Sequence, residues 1–253
     1  MVRVERLVKT FRLTRKEAKK ASQQNIMALN DVNLVAKQGE VLALLGSNGA
    51  GKTTTLRLLS TALEPDSGEI WINDIPVHQY PRRVRHRIGF LSNATALYRR
   101  LTVRENLQFF GRLYRIEANI IADRIHQVAQ ELNLEGFLDK KVDQLSTGMS
   151  QKASIARSIL HNPDIIILDE PTSGLDVEAS QQVLDFVIQQ KRQGKTVIFS
   201  THHMNEVEIL ADQICVINRG SSVFTGSIEQ MTSMTGQHNL TQAFVDILKR
   251  PAA

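Results

Sequence analysis

The sequence predicts an α/β fold with a mainly parallel sheet and a helical insertion, on three observations. Short apolar runs rich in β-branched residues alternate with segments of helical period. A glycine-rich loop joins one such run to the helix that follows it. Between about residues 94 and 158 the alternation stops and helical period alone remains.

In chain order, strands are expected at 40–45, 69–72, 88–91, 165–168, 196–200 and 214–217. Most are short and apolar on both faces, as strands covered on either side should be. Helices are expected at 52–63, 103–113, 120–132, 147–160 and 179–193. Residues 12–26 are polar and basic without apolar period, which predicts an exposed loop or loose helix between two early strands. Apolar residues at 240, 244, 245, 247 and 248 fit a short amphipathic helix that packs back on the body. No repeat and no Pro/Gly/Ser linker divides the chain, so 1–253 is expected to be one domain. Within it, about 94–158 is the helical part and about 227–253 a C-terminal extension.

Composition excludes several classes. At 253 residues, 42% hydrophobic and 23% charged, the chain matches ordinary globular proteins. Its longest purely apolar runs, 41–45 and 165–168, fall far short of the roughly 20 residues that cross a bilayer. No apolar segment follows the basic N-terminal residues, so no secretory signal is expected. The single cysteine, Cys215, sits in an apolar run and reads as an inert core thiol. A cytoplasmic location follows from these readings. The net charge of +5 is uneven, with eight Lys/Arg against two Glu in residues 1–20 and ten Arg against three acids in 81–125. Two basic zones on an acidic body suggest surfaces facing anionic lipid or a partner, or simply solvated faces.

Two motifs carry chemistry. Gly46-Ser47-Asn48-Gly49-Ala50-Gly51-Lys52-Thr53 fits the phosphate-loop pattern, placed between an apolar strand and a helix whose first turn includes Thr54. Its glycines let backbone N–H groups turn toward a phosphate, Lys52 reaches the β and γ oxygens, and Thr53 ligates Mg²⁺. The second is the apolar run 165–168 ending in Asp169-Glu170, which delivers two carboxylates to the edge of a sheet. Asp169 is placed for Mg²⁺ and Glu170 to polarise an attacking water. An apolar run ending in two acids is common by itself; 117 residues after Lys52, it gains weight.

Between these motifs, Leu145-Ser146-Thr147-Gly148-Met149 resembles the signature of ABC ATPases, usually written L-S-G-G-Q. Ser173-Gly174-Leu175-Asp176 resembles their D-loop, and Ser200-Thr201-His202 the switch histidine at a strand end. The likeness spans essentially the whole chain. It implies a P-loop NTPase (RecA-like) core with an antiparallel β subdomain and an inserted helical subdomain. It also implies a homodimer, or a pair of ATPases, enclosing two Mg-ATP. Ser146 and Gly148 of one subunit would contact the γ-phosphate bound by the other, and Asp176 would couple the two sites. His202 would contact the γ-phosphate and Glu170, while His203 beside it reads as surface. Phe11 matches the aromatic that stacks on adenine, with a core phenylalanine as the alternative. Asn93 stands where the family has a magnesium-contacting glutamine, and is one methylene shorter. Either its loop moves inward or its contact runs through water.

The run 97–107 and the compact ending at 239–244 resemble subunits of sodium-extrusion and multidrug ABC exporters. That resemblance implies an ATPase held by a transmembrane permease at the cytoplasmic face of the cell (inner) membrane, with Arg99, Arg100 and Arg104 as candidate docking cations. The alternative is a soluble ABC ATPase acting on nucleic acid or the ribosome, which the basic zones permit. Such proteins usually carry paired modules or a long coiled-coil insertion, and neither is present here.

Overall fold

The structure, a computed structural model, describes residues 1–14, 23–92 and 96–249. Two long strands, β1 (Val2–Arg12) and β2 (Asn25–Ala36), lead into β3 (Val41–Leu45) and then α1 (Lys52–Leu59). Next come β4 (Ser67–Ile72), β5 (Ile75–Pro76), α2 (Pro81–Arg85) and β6 (Ile88–Leu91). Three helices follow, α3 (Val103–Leu113), α4 (Ala118–Glu131) and α5 (Thr147–Ile159). The second half runs β7 (Ile165–Asp169), α6 (Val177–Arg192), β8 (Thr196–Thr201), α7 (Met204–Leu210), β9 (Gln213–Asn218) and β10 (Ser221–Gly226). It ends with α8 (Ile228–Thr235) and α9 (Leu240–Lys249).

The strands form two sheets. One is antiparallel, in the order β2-β1-β4-β5, and the other runs β10-β9-β3-β8-β7-β6. All its pairings are parallel except β10 with β9. Side-chain alternation splits each inner strand between two cores. β3 gives Val41, Ala43 and Leu45 to the core shared with the helices, and Leu42 and Leu44 to the core beneath the antiparallel sheet. β7 divides the same way, Ile166 and Leu168 against Ile165 and Ile167. Burial on both faces is why these strands read as unbroken apolar runs.

Register places the site. In the parallel ladder Leu45 pairs with Thr201 and Asp169 pairs with Ser200. The C-terminal ends of β3, β7 and β8 therefore share one edge, where the phosphate loop, the two carboxylates and His202 leave the sheet. Ligands of open α/β sheets bind at such an edge.

Several boundaries differ from the sequence expectation. β2 begins at Asn25, so the last residues of 12–26 are strand, paired with the end of β1; residues 15–22 of that range lie outside the described residues. Helix α1 stops at Leu59, not 63, because Thr61 takes a positive φ of 63°. The amides of Ala62 and Leu63 then fold back onto the Arg57 carbonyl. The C-terminal helix forms as expected, burying Leu240, Ala243 and Ile247. Cys215 is fully buried in β9 and its thiol is pushed up to about 12 by burial, which makes it inert. Among the described residues, no helix is long and apolar enough to cross a membrane.

The basic zone in the helical part is partly spoken for. Arg104 binds Asp139 through two bonds of 2.7 and 3.0 Å, because its planar fork matches a carboxylate. It is thus not a free docking cation, whereas Arg99 and Arg100 are exposed.

Helix α3 starts with a capping box in which Thr102 and Glu105 satisfy each other's backbone N–H groups. One turn later Asn106, fully buried, accepts from the Tyr98 amide at 2.8 Å and donates to the carbonyls of Tyr98 and Thr102. This side chain fixes the entry loop to the helix. Asn106→Ala should cost about 2–4 kcal/mol in urea unfolding, since Tyr98 loses partners for both backbone groups. A loss under ~0.5 kcal/mol would show that the loop is held otherwise.

His161, just past α5, contacts the Ile88 carbonyl through Nε2 at 3.1 Å and stacks on Tyr114 with centroids 4.0 Å apart. Its Nδ1 is buried with no hydrogen-bond partner among the described residues. Burial is the main reason its pKa falls to about 4, with nearby cations adding to the effect. The folded state therefore resists protonation. Its contribution is complete above the unfolded value near 6.5 and is lost as pH falls toward 4, up to about 3 kcal/mol. Unfolding measured from pH 7 to 4 should show this acid loss, and His161→Phe should reduce it.

Candidate functional site

The site is assembled where three strand ends meet. After β3 the chain passes through Gly46–Thr53 into α1, whose N-cap is Gly51 at φ 116°. A Cβ there would lie 2.6 Å from Leu29 Cδ2 and 3.0 Å from the Ala28 carbonyl, so only glycine fits. No side chain caps this helix start, which leaves its first amides available to an anion. Ser47, Asn48, Gly49, Gly51, Lys52, Thr53, Thr54, Asp169 and Glu170 line one cavity of about 390 Å³, together with Ala28 of β2. Gly46 and Ala50 form the loop's inner wall. The Gly46 carbonyl accepts from Lys52 Nζ at 2.8 Å, and Ala50 is buried against the core.

Lys52 is only 5% exposed, so its ammonium needs partners. It finds the Gly46 carbonyl, the Ser47 carbonyl at 3.4 Å, and Glu170 Oε1 at 3.7 Å. The same Oε1 lies 3.7 Å from Nδ1 of His202, whose ring is about half exposed. Thr53 Oγ1 donates to Asp169 Oδ1 at 3.1 Å. Asp169 is buried, and its Oδ1 also accepts from Ser200 Oγ at 2.8 Å. Two hard oxygen donors, Thr53 and Asp169, thus meet at the cavity mouth, a donor set suited to Mg²⁺. Glu170 sits at a positive φ of 46°, an uncommon conformation for a residue with a side chain. Its amide donates to Ser200 Oγ at 2.9 Å, which helps to hold it there.

The signature and D-loop residues lie elsewhere. Ser146 is the N-cap of α5, accepting from the Met149 amide at 3.3 Å, and Asp176 is the N-cap of α6, accepting from the Ala179 amide at 2.8 Å. A Cβ on Gly148 would sit 3.0 Å from Ala179 Cβ, so this glycine lets the two helix starts approach closely. None of these three lines the phosphate-loop cavity of its own chain. Ser146 instead lines a second cavity of about 450 Å³, with Leu97, Arg99 and Gln151 on its wall. Phe11 pairs with Ile26 at the end of β1, beneath the Lys9 ammonium and off the cavity wall. Asn93 lies outside the described residues. His203 is exposed at the start of α7, as surface.

Ser200, which the motif before His202 does not single out, bridges both carboxylate residues. The available signal was a hydroxyl pair, Ser200-Thr201, closing an otherwise apolar strand.

A phosphate loop, a buried lysine and a strand ending in two carboxylates on one parallel edge define a phosphate-loop nucleotide hydrolase. Residues 29–173 match the ABC transporter family. The chain is 40% identical over 226 residues to the ABC transporter ATP-binding protein NatA of Bacillus subtilis, covering 89% of this chain and 92% of that one. It is 37% identical over 201 residues to the Nod factor export ATP-binding protein I of Burkholderia lata, covering 79% and 66% respectively. A solved ATP-binding subunit of an ABC transporter superposes with a TM-score of 0.84 at 28% identity, over 98% of this chain and all of the other. The dimeric post-hydrolysis state of an ATP-binding cassette with ADP and Pi gives 0.79, also at 28% identity, over 90% and 98%. The chain belongs to the ABC transporter family, and it is an ATP-binding and ATP-hydrolysing subunit.

Ser200→Ala removes one partner from Asp169 and one from the Glu170 amide. Steady-state ATPase assays should show turnover down about 10-fold, a loss typical of displaced catalytic groups. An unchanged turnover would mean that the strand register alone holds both residues.

Proposed function

We propose that this chain powers an exporter, working in pairs that enclose two Mg-ATP and attached through a transmembrane permease to the cytoplasmic face of the cell membrane. The observation that carries this reading is the convergence of Lys52 and His202 on one oxygen of Glu170, beside the Thr53–Asp169 pair. Relatives named for export and the likeness to a dimeric cassette with ADP and Pi support it. Sodium is the solute suggested by the resemblance in sequence. The chain is read as one nucleotide-binding domain, with about 94–158 as the helical part facing the permease and about 227–253 as the C-terminal extension.

In this reading, the loop from Gly46 to Thr54 wraps the phosphates and Lys52 holds the β and γ oxygens. Thr53 and Asp169 would hold Mg²⁺, which when bound would offset the phosphate charge. An arriving γ-phosphate draws the Lys52 ammonium from Glu170. Glu170 is then free to accept a hydrogen bond from the attacking water, and His202 orients both. Phe11 stacks on adenine. Ser146 and Gly148 at the tip of α5 of a second subunit face the γ-phosphate, where a helix N-terminus favours an anion. Asp176 lies between the two sites. The position of these three residues away from their own cavity supports a pocket completed by another chain. Hydrolysis removes the bridging phosphate, and the pair opens.

Glu170→Gln keeps the shape but cannot take up a proton. The variant should lose roughly 10²-fold or more in turnover and accumulate as an ATP-bound dimer by light scattering. Parental turnover, or a strict monomer at saturating Mg-ATP, would contradict the proposal.

A further inference from the structure

Glu206, in the first turn of α7, is a buried carboxylate, 5% exposed, outside the phosphate-loop cavity. Burying a carboxylate is costly unless both oxygens are held. Here each oxygen has one hydroxyl donor, and the donors come from different catalytic loops. Thr172 Oγ1 donates to Oε1 at 2.5 Å, and Thr201 Oγ1 donates to Oε2 at 2.6 Å. Both threonines are themselves buried. Thr172 is two residues after Glu170, in a turn closed by the Ser173 amide on the Glu170 carbonyl. Thr201 immediately precedes His202, and its hydroxyl oxygen also accepts from the His203 amide at 3.0 Å.

We propose that Glu206 is a positioning residue for ATP hydrolysis, clamping the loop that carries Glu170 to the loop that carries His202. Distances this short are those of charge-assisted hydrogen bonds, which are strong and strict in geometry. Glu170 and His202 lie on separate strand ends, and their separation of 3.7 Å is set by how those two loops leave the sheet. Ser200 ties the strand ends themselves, and Glu206 adds a second tie beyond them, joining Thr172 after Glu170 to Thr201 before His202. An amide in its place offers a single acceptor oxygen, so one threonine hydroxyl loses its acceptor. An alanine releases both. The inference rests on the roles given above to Glu170 and His202.

The test is a double-mutant cycle on steady-state ATPase activity, using the full chain. Glu206→Ala should lower kcat about 10- to 100-fold, the scale of a small displacement at a reacting centre. The KM for ATP should stay within about twofold, because the phosphate loop is untouched. Glu206→Gln should retain part of the activity, and it keeps the volume should the alanine variant fail to fold. Because Glu206 acts through the contact between Glu170 and His202, which His202→Ala already removes, adding either substitution to His202→Ala should lower kcat by less than about twofold more. A Glu206→Gln protein with parental kcat, beside a His202→Ala protein that has lost activity, would overturn the clamp and leave the reading of the site intact. Multiplicative losses in the double variant would also overturn it, showing that Glu206 acts by another route. A His202→Ala protein with parental kcat would remove the site reading itself and the clamp with it.

Discussion

The parallel register of β3, β7 and β8 is the constraint on which the rest of the structure depends. Pairing Leu45 with Thr201 and Asp169 with Ser200 brings three chain exits to one sheet edge. A slip of one residue would turn every side chain to the opposite face and exchange the two cores. Burial of both faces forbids that slip, because each apolar strand residue is matched to one core or the other. The stability of the sheet and the placement of the site are therefore one requirement.

Each charged group inside the site is held by a protein partner. The Lys52 ammonium is held by loop carbonyls with Glu170 nearby, and Asp169 is held by two hydroxyls. Each group has a partner that a phosphate or a metal could displace, which lowers the cost of preorganisation. Burying such groups without partners would cost several kcal/mol each. The same logic extends outward from the cavity. Gln151 of α5 donates to the Pro171 carbonyl at 2.7 Å, so the helix tipped by Ser146 touches the loop that follows Glu170. A shift of that helix would be felt one residue from Glu170.

Much of this was legible in the sequence because its signals are local. Unbroken apolar runs gave the two-sided strands, and the spacing of glycines before Lys52 gave the loop. The helices at 103–113 and 147–160 were readable from their apolar period. What was hidden depends on pairing between distant segments. β1 and β2 are interrupted by bulges, with irregular register between Val4 and Thr10, so their alternation is blurred. The end of α1 follows from the left-handed backbone at Thr61, which side-chain pattern does not announce. Arg104 looked free until Asp139, 35 residues away, was brought beside it. Ser200 looked like any strand-end hydroxyl until the register set it against Asp169.

The central claim is that each pocket is completed by a second chain, and mixing two defective proteins tests it most directly. Lys52→Ala spoils the phosphate loop and spares the tip of α5. Ser146→Glu spares the loop and places a like charge at that tip. Each should be nearly inactive alone, while their mixture forms one intact pocket per mixed pair. ATPase activity in the mixture should rise well above the sum of the separate proteins. Activity equal to that sum at every ratio would contradict it.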